Sequence, residues 1–175
     1  MSCVIGLKHE GDVYVASDGI ASTEDGDTRP IKAIKIFRKG PYLIGYAGSI
    51  RTGQIIQHGD FDLPRDIWGW PDLIREQIDE KGALITVSET QSQMSASNFL
   101  IAHGGRLYET LCDFQINEIG EMGFTAIGSG ATIALGSLFT SRNLDMDPEK
   151  RLNLALDSAT EFARSCGPPY TIERL

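Results

Sequence analysis

The sequence predicts an α+β domain in which strands gather into packed sheets and helices cover the outside. Short apolar or alternating runs, broken by Gly-bearing turns, fill the start and the middle of the chain. Stretches of helical period, one opened by Pro71-Asp72 and another by Asp147-Pro148-Glu149, follow each group of strands. With 175 residues, 41% of them hydrophobic and 23% charged, the composition supports one core and a single domain over residues 1–175. No repeat or linker interrupts it.

Taken in order, Cys3 to Leu7 and Val13 to Ala16 flank Glu10-Gly11-Asp12 as a hairpin. Beyond the polar stretch Ser22 to Asp27, Ile34 to Arg38 and Tyr42 to Tyr46 flank Lys39-Gly40-Pro41 as a second, so four strands come first. Ile50, Ile55 and Ile56 suit a short helix after Ser49, and Pro71 to Ile78 a second. Between them His58 to Trp70 is a loop, whose Trp68 and Trp70 are expected to pack in the core rather than to mark a subunit contact. A polar segment from Ser88 to Ser97 precedes a third hairpin, Asn98 to Ala102 and Arg106 to Cys112 around His103-Gly104-Gly105. Phe124 to Ile127 then leads through Gly128-Ser129-Gly130 into a helix over Ala131 to Phe139. The last helix carries Leu152, Leu154, Ala155, Leu156, Ala159 and Phe162 on its apolar face, and Tyr170 to Ile172 closes the chain as a strand.

Charge and cysteine usage narrow the function. Sixteen Lys and Arg against 24 Asp and Glu give a net charge of −8, with no basic stripe to follow phosphates, so nucleic acid is not an expected partner. The 3 cysteines, Cys3, Cys112 and Cys166, are odd in number and far apart, which points to free thiols in a reducing compartment. The start lacks a signal-peptide pattern and no apolar run reaches membrane-spanning length, so the expected location is cytoplasmic, with no membrane partner. His58, Asp60 and Asp62 share one loop without a distant fourth ligand, a pattern of a solvated loop rather than a metal site.

Chemistry points first to Ser2. A small residue at this position normally allows removal of Met1, which would leave a hydroxyl and a free α-amine on adjacent atoms. An α-amine with a reference pKa near 7.7 to 8.0 is a suitable base for a hydroxyl that is otherwise a poor nucleophile. An ordinary terminus is the alternative.

The ordered motifs after Ser2 extend that idea: Gly11 in the first turn, Ala16-Ser17-Asp18-Gly19 after the second strand, Lys35-Ile36-Phe37 on the third, Gly45-Tyr46-Ala47-Gly48 on the fourth, and Ala126-Ile127-Gly128-Ser129-Gly130 before a helix. In this order and spacing, and over nearly the whole chain, the sequence resembles the proteasome β-subunit superfamily of N-terminal nucleophile hydrolases, above all its HslV-like and Anbu-like branch. The resemblance implies a four-layer αββα sandwich, peptide-bond hydrolysis, and self-association into a homo-oligomeric ring or helical assembly. It further implies a peptide or unfolded protein as substrate and an ATPase unfoldase as a conceivable partner.

It also implies roles. Ser2 stands at the nucleophile's position, Lys35 would lower the pKa of its hydroxyl and amine, and Asp18 would hold that lysine. The Gly48 N–H would stabilise the oxyanion, and Ser129 would hydrogen-bond near the Ser2 amine. Plain structural roles stay open for each: a turn acid at Asp18, an exposed strand lysine between inward Ile34 and Ile36, a turn glycine at Gly48, a helix N-cap at Ser129. Lys32 is the alternative to Lys35. This chemistry requires neither metal nor organic cofactor.

One departure stands out. Where active superfamily members usually carry an Asp and then Ser-Gly-Gly, this chain has Ala163-Arg164-Ser165-Cys166-Gly167, so Ser165 or Cys166 would supply weaker hydrogen bonding. A degenerate subunit kept for assembly, which a retained Met1 would favour, and a small-molecule amidase are therefore the competing functions.

Overall fold

The computed structural model describes residues 2–22, 27–30, 34–87 and 92–175; Met1 and Lys32 lie outside them. β1 (Cys3–His9) and β2 (Asp12–Ser17) form the first hairpin, joined by β12 (Phe124–Gly128) and β13 (Thr171–Arg174) in a sheet of order β12-β1-β2-β13. A second sheet takes the order β11-β10-β9-β6-β5, from β5 (Ile36–Lys39), β6 (Tyr42–Gly48), β9 (Ser97–His103), β10 (Arg106–Thr110) and β11 (Ile116–Glu118). Two small ribbons flank them: β3 (Ile20–Ser22) with β4 (Thr28–Pro30), and β7 (Leu84–Val87) with β8 (Ser92–Ser95). The helices are α1 (Ile50–His58), α2 (Trp70–Glu80), α3 (Ala131–Thr140) and α4 (Pro148–Phe162).

The central strands read as nearly continuous apolar runs because both faces of each are buried. In β1, Val4 points into the space between the sheets, while Cys3, Ile5 and Leu7 meet Ala134 and Leu138 of α3 and Leu152, Ala155 and Leu156 of α4. In β6, Leu43 and Ala47 join Val13 and Val15 between the sheets, while Tyr42, Ile44 and Tyr46 face Ile56 of α1 and Trp70, Ile74 and Ile78 of α2. The period-2 alternation thus feeds two different cores from one strand. The result is the expected four layers, helices outside two sheets. The sheets approach closely at Gly45, where a Cβ would lie 2.7 Å from Val4 Cγ1 and 2.9 Å from Val15 Cγ1.

Helix starts follow the residues that marked them. Asp147 caps α4, its Oδ1 accepting from Glu149 N at 2.9 Å and Lys150 N at 3.2 Å, with Pro148 in the first turn. Among the described residues no helix is long and apolar enough to cross a membrane.

Three expectations need correction. β3 and β4 add to the four strands expected before α1, and β8 lies within the polar Ser88–Ser97 segment; β4 and β8 are short and carry little apolar signal. The tryptophans part company, since Trp70 is 1% exposed in the α2 core and Trp68 is 60% exposed. Trp70 opens α2 on its inward face and Trp68 sits in the preceding 3-10 turn, Ile67–Gly69, whose buried residue is Ile67.

Trp70→Ala is expected to cost about 3–5 kcal/mol of unfolding free energy, whereas Trp68→Ala should stay within about 0.5 kcal/mol. Urea denaturation of both variants checks the contrast.

Candidate active site

Ser2 precedes β1, which lies between β12 and β2, so its position is fixed from both sides. On one side the β1–β2 ladder runs on past Ser17. Asp18 N donates to Cys3 O at 3.1 Å, and Asp18 Oδ1 accepts from Cys3 N at 2.8 Å. The carboxylate is thereby locked beside the residue that follows Ser2. On the other side the Gly128-Ser129-Gly130 turn wraps the Ser2 carbonyl, which accepts from Gly130 N and from the Ser129 hydroxyl, each at 3.3 Å. Gly128 has φ +94°, and a Cβ there would run into the Ser2 carbonyl oxygen. The turn requires glycine for both reasons.

Lys35 comes from the second sheet. It immediately precedes β5, and its carbonyl accepts from Tyr46 N at 3.0 Å, continuing the β5–β6 pairing. Its side chain crosses to the first sheet, where Nζ lies 2.7 Å from Asp18 Oδ1 and donates to Ile20 O at 2.6 Å. The lysine and aspartate side chains are only 4% and 0% exposed. The outward alternative for Lys35 is therefore excluded, and Ile34, expected inward, is exposed instead. An ammonium has three donors and two are engaged here.

Ser2, Lys35 and Gly48 meet in one cleft of about 350 Å³, whose walls also include Ile20, Tyr46 and Arg51. Gly48 ends β6 opposite Ser97 with φ +131°, and a Cβ would lie 2.8 Å from Ser97 Cα and strike the Ala96 carbonyl oxygen. Only glycine fits there without moving β9. Lys35 and Asp18 neutralise each other, so Arg51 brings a further positive charge to the rim.

Ser129 is not the cap of α3. That place belongs to Gly130, and no side chain caps the helix. The Ser129 hydroxyl instead touches the Ser2 carbonyl oxygen and lies 2.7 Å from Ser165 Oγ. Behind this turn two free thiols meet. Hydrogen bonds from Cys3, Ser129 and Ser165 pull the Cys166 thiol below its ordinary pKa, while its contact with Cys166 and its burial push Cys3 far above. The sequence drew attention to the Ser165-Cys166 segment without showing what it touches. The Ile20 carbonyl as a lysine acceptor carries no sequence signal at all, because it is a backbone atom.

The arrangement can hold a cation, desolvated and fixed, beside a serine at the end of a buried strand and next to a glycine backbone in an open cleft. No protein-family model and no curated protein matches the chain. Solved structures do share its fold. The Thiobacillus denitrificans protein BPH, in complex with epoxomicin, matches at a TM-score of 0.82 and 20% identity, over 99% of this chain and 97% of the other. HslV from Trypanosoma brucei matches at 0.73 and 17%, over 99% and 98%. Anbu from Yersinia bercovieri, an ancestral beta-subunit, matches at 0.70 and 14%, over 98% and 80%. The fold is that of the proteasome-like N-terminal nucleophile hydrolases.

Asp18→Ala leaves the Lys35 ammonium buried without a counter-charge and should cost about 3–5 kcal/mol. In a double-mutant cycle with Lys35→Met, followed by urea denaturation, the combined loss should be well below the sum of the two single losses.

Proposed function

We propose that this chain is an N-terminal nucleophile peptidase subunit that hydrolyses peptide bonds through Ser2 once Met1 is removed. The observation that carries this reading is the buried Asp18–Lys35 pair, which spans the two sheets and opens on the same cleft as Ser2. Two charges taken out of water contribute little net stability, so their retention beside a serine favours a chemical use.

In this mechanism the free α-amine of Ser2 takes the hydroxyl proton as Oγ attacks the substrate carbonyl. Lys35 lowers the cost of the developing alkoxide, and its own charge is held in place by Asp18 and the Ile20 carbonyl. The Gly48 N–H stabilises the tetrahedral oxyanion. The amine then protonates the leaving nitrogen, and water attacks the Ser2 ester to regenerate the hydroxyl. These steps need no metal or cofactor.

Self-association belongs to the same reading. Phe139 of α3, Leu154 and Phe162 of α4 and Leu144 between them expose large apolar side chains on one outer helical layer, a surface suited to another copy of the chain. An unfoldase ATPase is the partner that a closed chamber would call for, with peptides or unfolded proteins as substrate. A second reading, a degenerate subunit kept for assembly, is favoured by one observation: residues 163–167 contain no carboxylate.

Intact mass before and after an epoxyketone probe tests the proposal, a choice supported by the epoxomicin held by the Thiobacillus protein. A mass lacking Met1 and gaining one adduct is expected. The adduct should vanish in Ser2→Ala and form about 10²- to 10⁴-fold more slowly in Lys35→Ala, with circular dichroism confirming that both variants fold. Met1 retained in the native host with no adduct would leave the assembly reading.

A further inference from the structure

The walls of the Ser2 cleft carry an uneven set of charges. Ile20, Ala21 and Ile50 are apolar, and Lys35 is balanced by Asp18 at 2.7 Å. Tyr46 is buried against Gly53 of α1, where a Cβ would strike its ring, and burial pushes its hydroxyl above the ordinary pKa, so it stays neutral. The Ser2 amine must itself be neutral to act as a base. Arg51 is then the one unbalanced charge among the described lining residues.

Arg51 is exposed, and none of the ion pairs among the described residues involves it. On its far side it borders a second groove that holds Asp60 and Glu80, and it pairs with neither. Nor does it serve its own helix. It lies in the first turn of α1, whose cap Ser49 makes no side-chain hydrogen bond and whose first turn holds no acid. A cation at that end opposes the helix dipole, so the local arrangement is electrostatically unfavourable until an anion arrives. The acidity of the whole chain does not prevent this. A net charge of −8 is screened beyond roughly 8 Å at physiological ionic strength, so groups on the cleft wall decide which peptide enters.

We propose that Arg51 is a specificity-determining residue that selects peptides with an acidic side chain in the acyl half, next to the bond that Ser2 attacks. This deepens the peptidase reading and rests on it. The planar guanidinium offers paired donors to a carboxylate, a match that the neutral amide of glutamine lacks. The acyl half stays in the cleft through the ester intermediate, which is why the choice falls on that half. A peptide that fills the cleft also excludes water from the pair, and this should lift its effect above the roughly fivefold or less of an ion pair left in solvent.

The test compares fluorogenic peptide amides that differ only in carrying Glu, Gln or Lys before the cleaved bond. In the parent chain, kcat/KM should be about tenfold higher for Glu than for Gln, and about a hundredfold higher than for Lys. Raising the salt from about 0.05 M to about 0.5 M should reduce the Glu to Gln ratio about threefold. Arg51→Ala should bring that ratio to within about twofold of one, and Arg51→Glu should make Lys the preferred residue by about fivefold or more. The reversed preference also shows that the variant folds. A parent ratio below about threefold, or a ratio that stays the same in both variants, would overturn the proposal. The epoxyketone adduct decides the nucleophile separately. If no adduct forms and no peptide is cleaved, the peptidase reading has failed, and Arg51 is tested by fluorescence anisotropy of the same three peptides carrying fluorescein. The Glu peptide should then bind at least about fivefold tighter than the Gln peptide in the parent and lose that advantage in Arg51→Glu; equal affinities in the parent would overturn it.

Discussion

A nearly buried lysine ammonium and a fully buried aspartate carboxylate join the two sheets at the end of the sandwich where β1 begins. Desolvating each charge costs several kcal/mol, and the attraction between them roughly offsets that only when every remaining lone pair and proton finds a partner. The surrounding structure meets this condition closely. Asp18 accepts from Lys35 and from the Cys3 and Ile20 amides, and Lys35 reaches both Asp18 and the Ile20 carbonyl. The geometry of the β1 start, the β2 end and the entry to β5 is thus set by one shared demand. An apolar pair of similar volume would hold the sheets together as well, so stability alone does not call for these charges.

Glycines set the remaining boundary of the site, and each does so by a steric argument rather than by flexibility. Gly128 lets the β12 turn press on the Ser2 carbonyl, Gly130 makes room for the Cys3–Cys166 contact, and Gly48 brings its backbone to the cleft wall against β9. A Cβ at any of them would push one wall of the site away from Ser2. The site is therefore built mainly from backbone held at close approach, with few side chains free to adjust, which is the arrangement that preorganised stabilisation of a developing charge requires.

The acidic chain as a whole and the cationic cleft are in contrast. Against a net charge of −8, the cleft holds one neutral ion pair and Arg51 at its rim. A negative charge placed in the cleft would thus meet a locally favourable field in a molecule of negative net charge.

Residues 3–7, 13–16 and 42–46 by themselves determined that their strands are buried on both faces, because their apolar runs admit no solvated side, and Asp147-Pro148-Glu149 determined where α4 starts through local capping chemistry. Ser2, Asp18, Lys35, Gly48 and Ser129 were legible as a set only through the resemblance of their ordered motifs to the proteasome-like hydrolases, since each residue alone has an ordinary structural reading. The sequence could not say that Lys35 points inward, since alternation around Ile34 and Ile36 argued the opposite; the Asp18 charge from another sheet decided it. Nor could it separate Trp68 from Trp70, two residues apart, because burial there depends on where α2 meets the second sheet. Ser165 became meaningful only when the end of α4 was placed against the β12 turn, 36 residues away in the chain. Local chemistry and periodicity are written in neighbouring residues, whereas contacts between distant segments exist only after the sheets have packed.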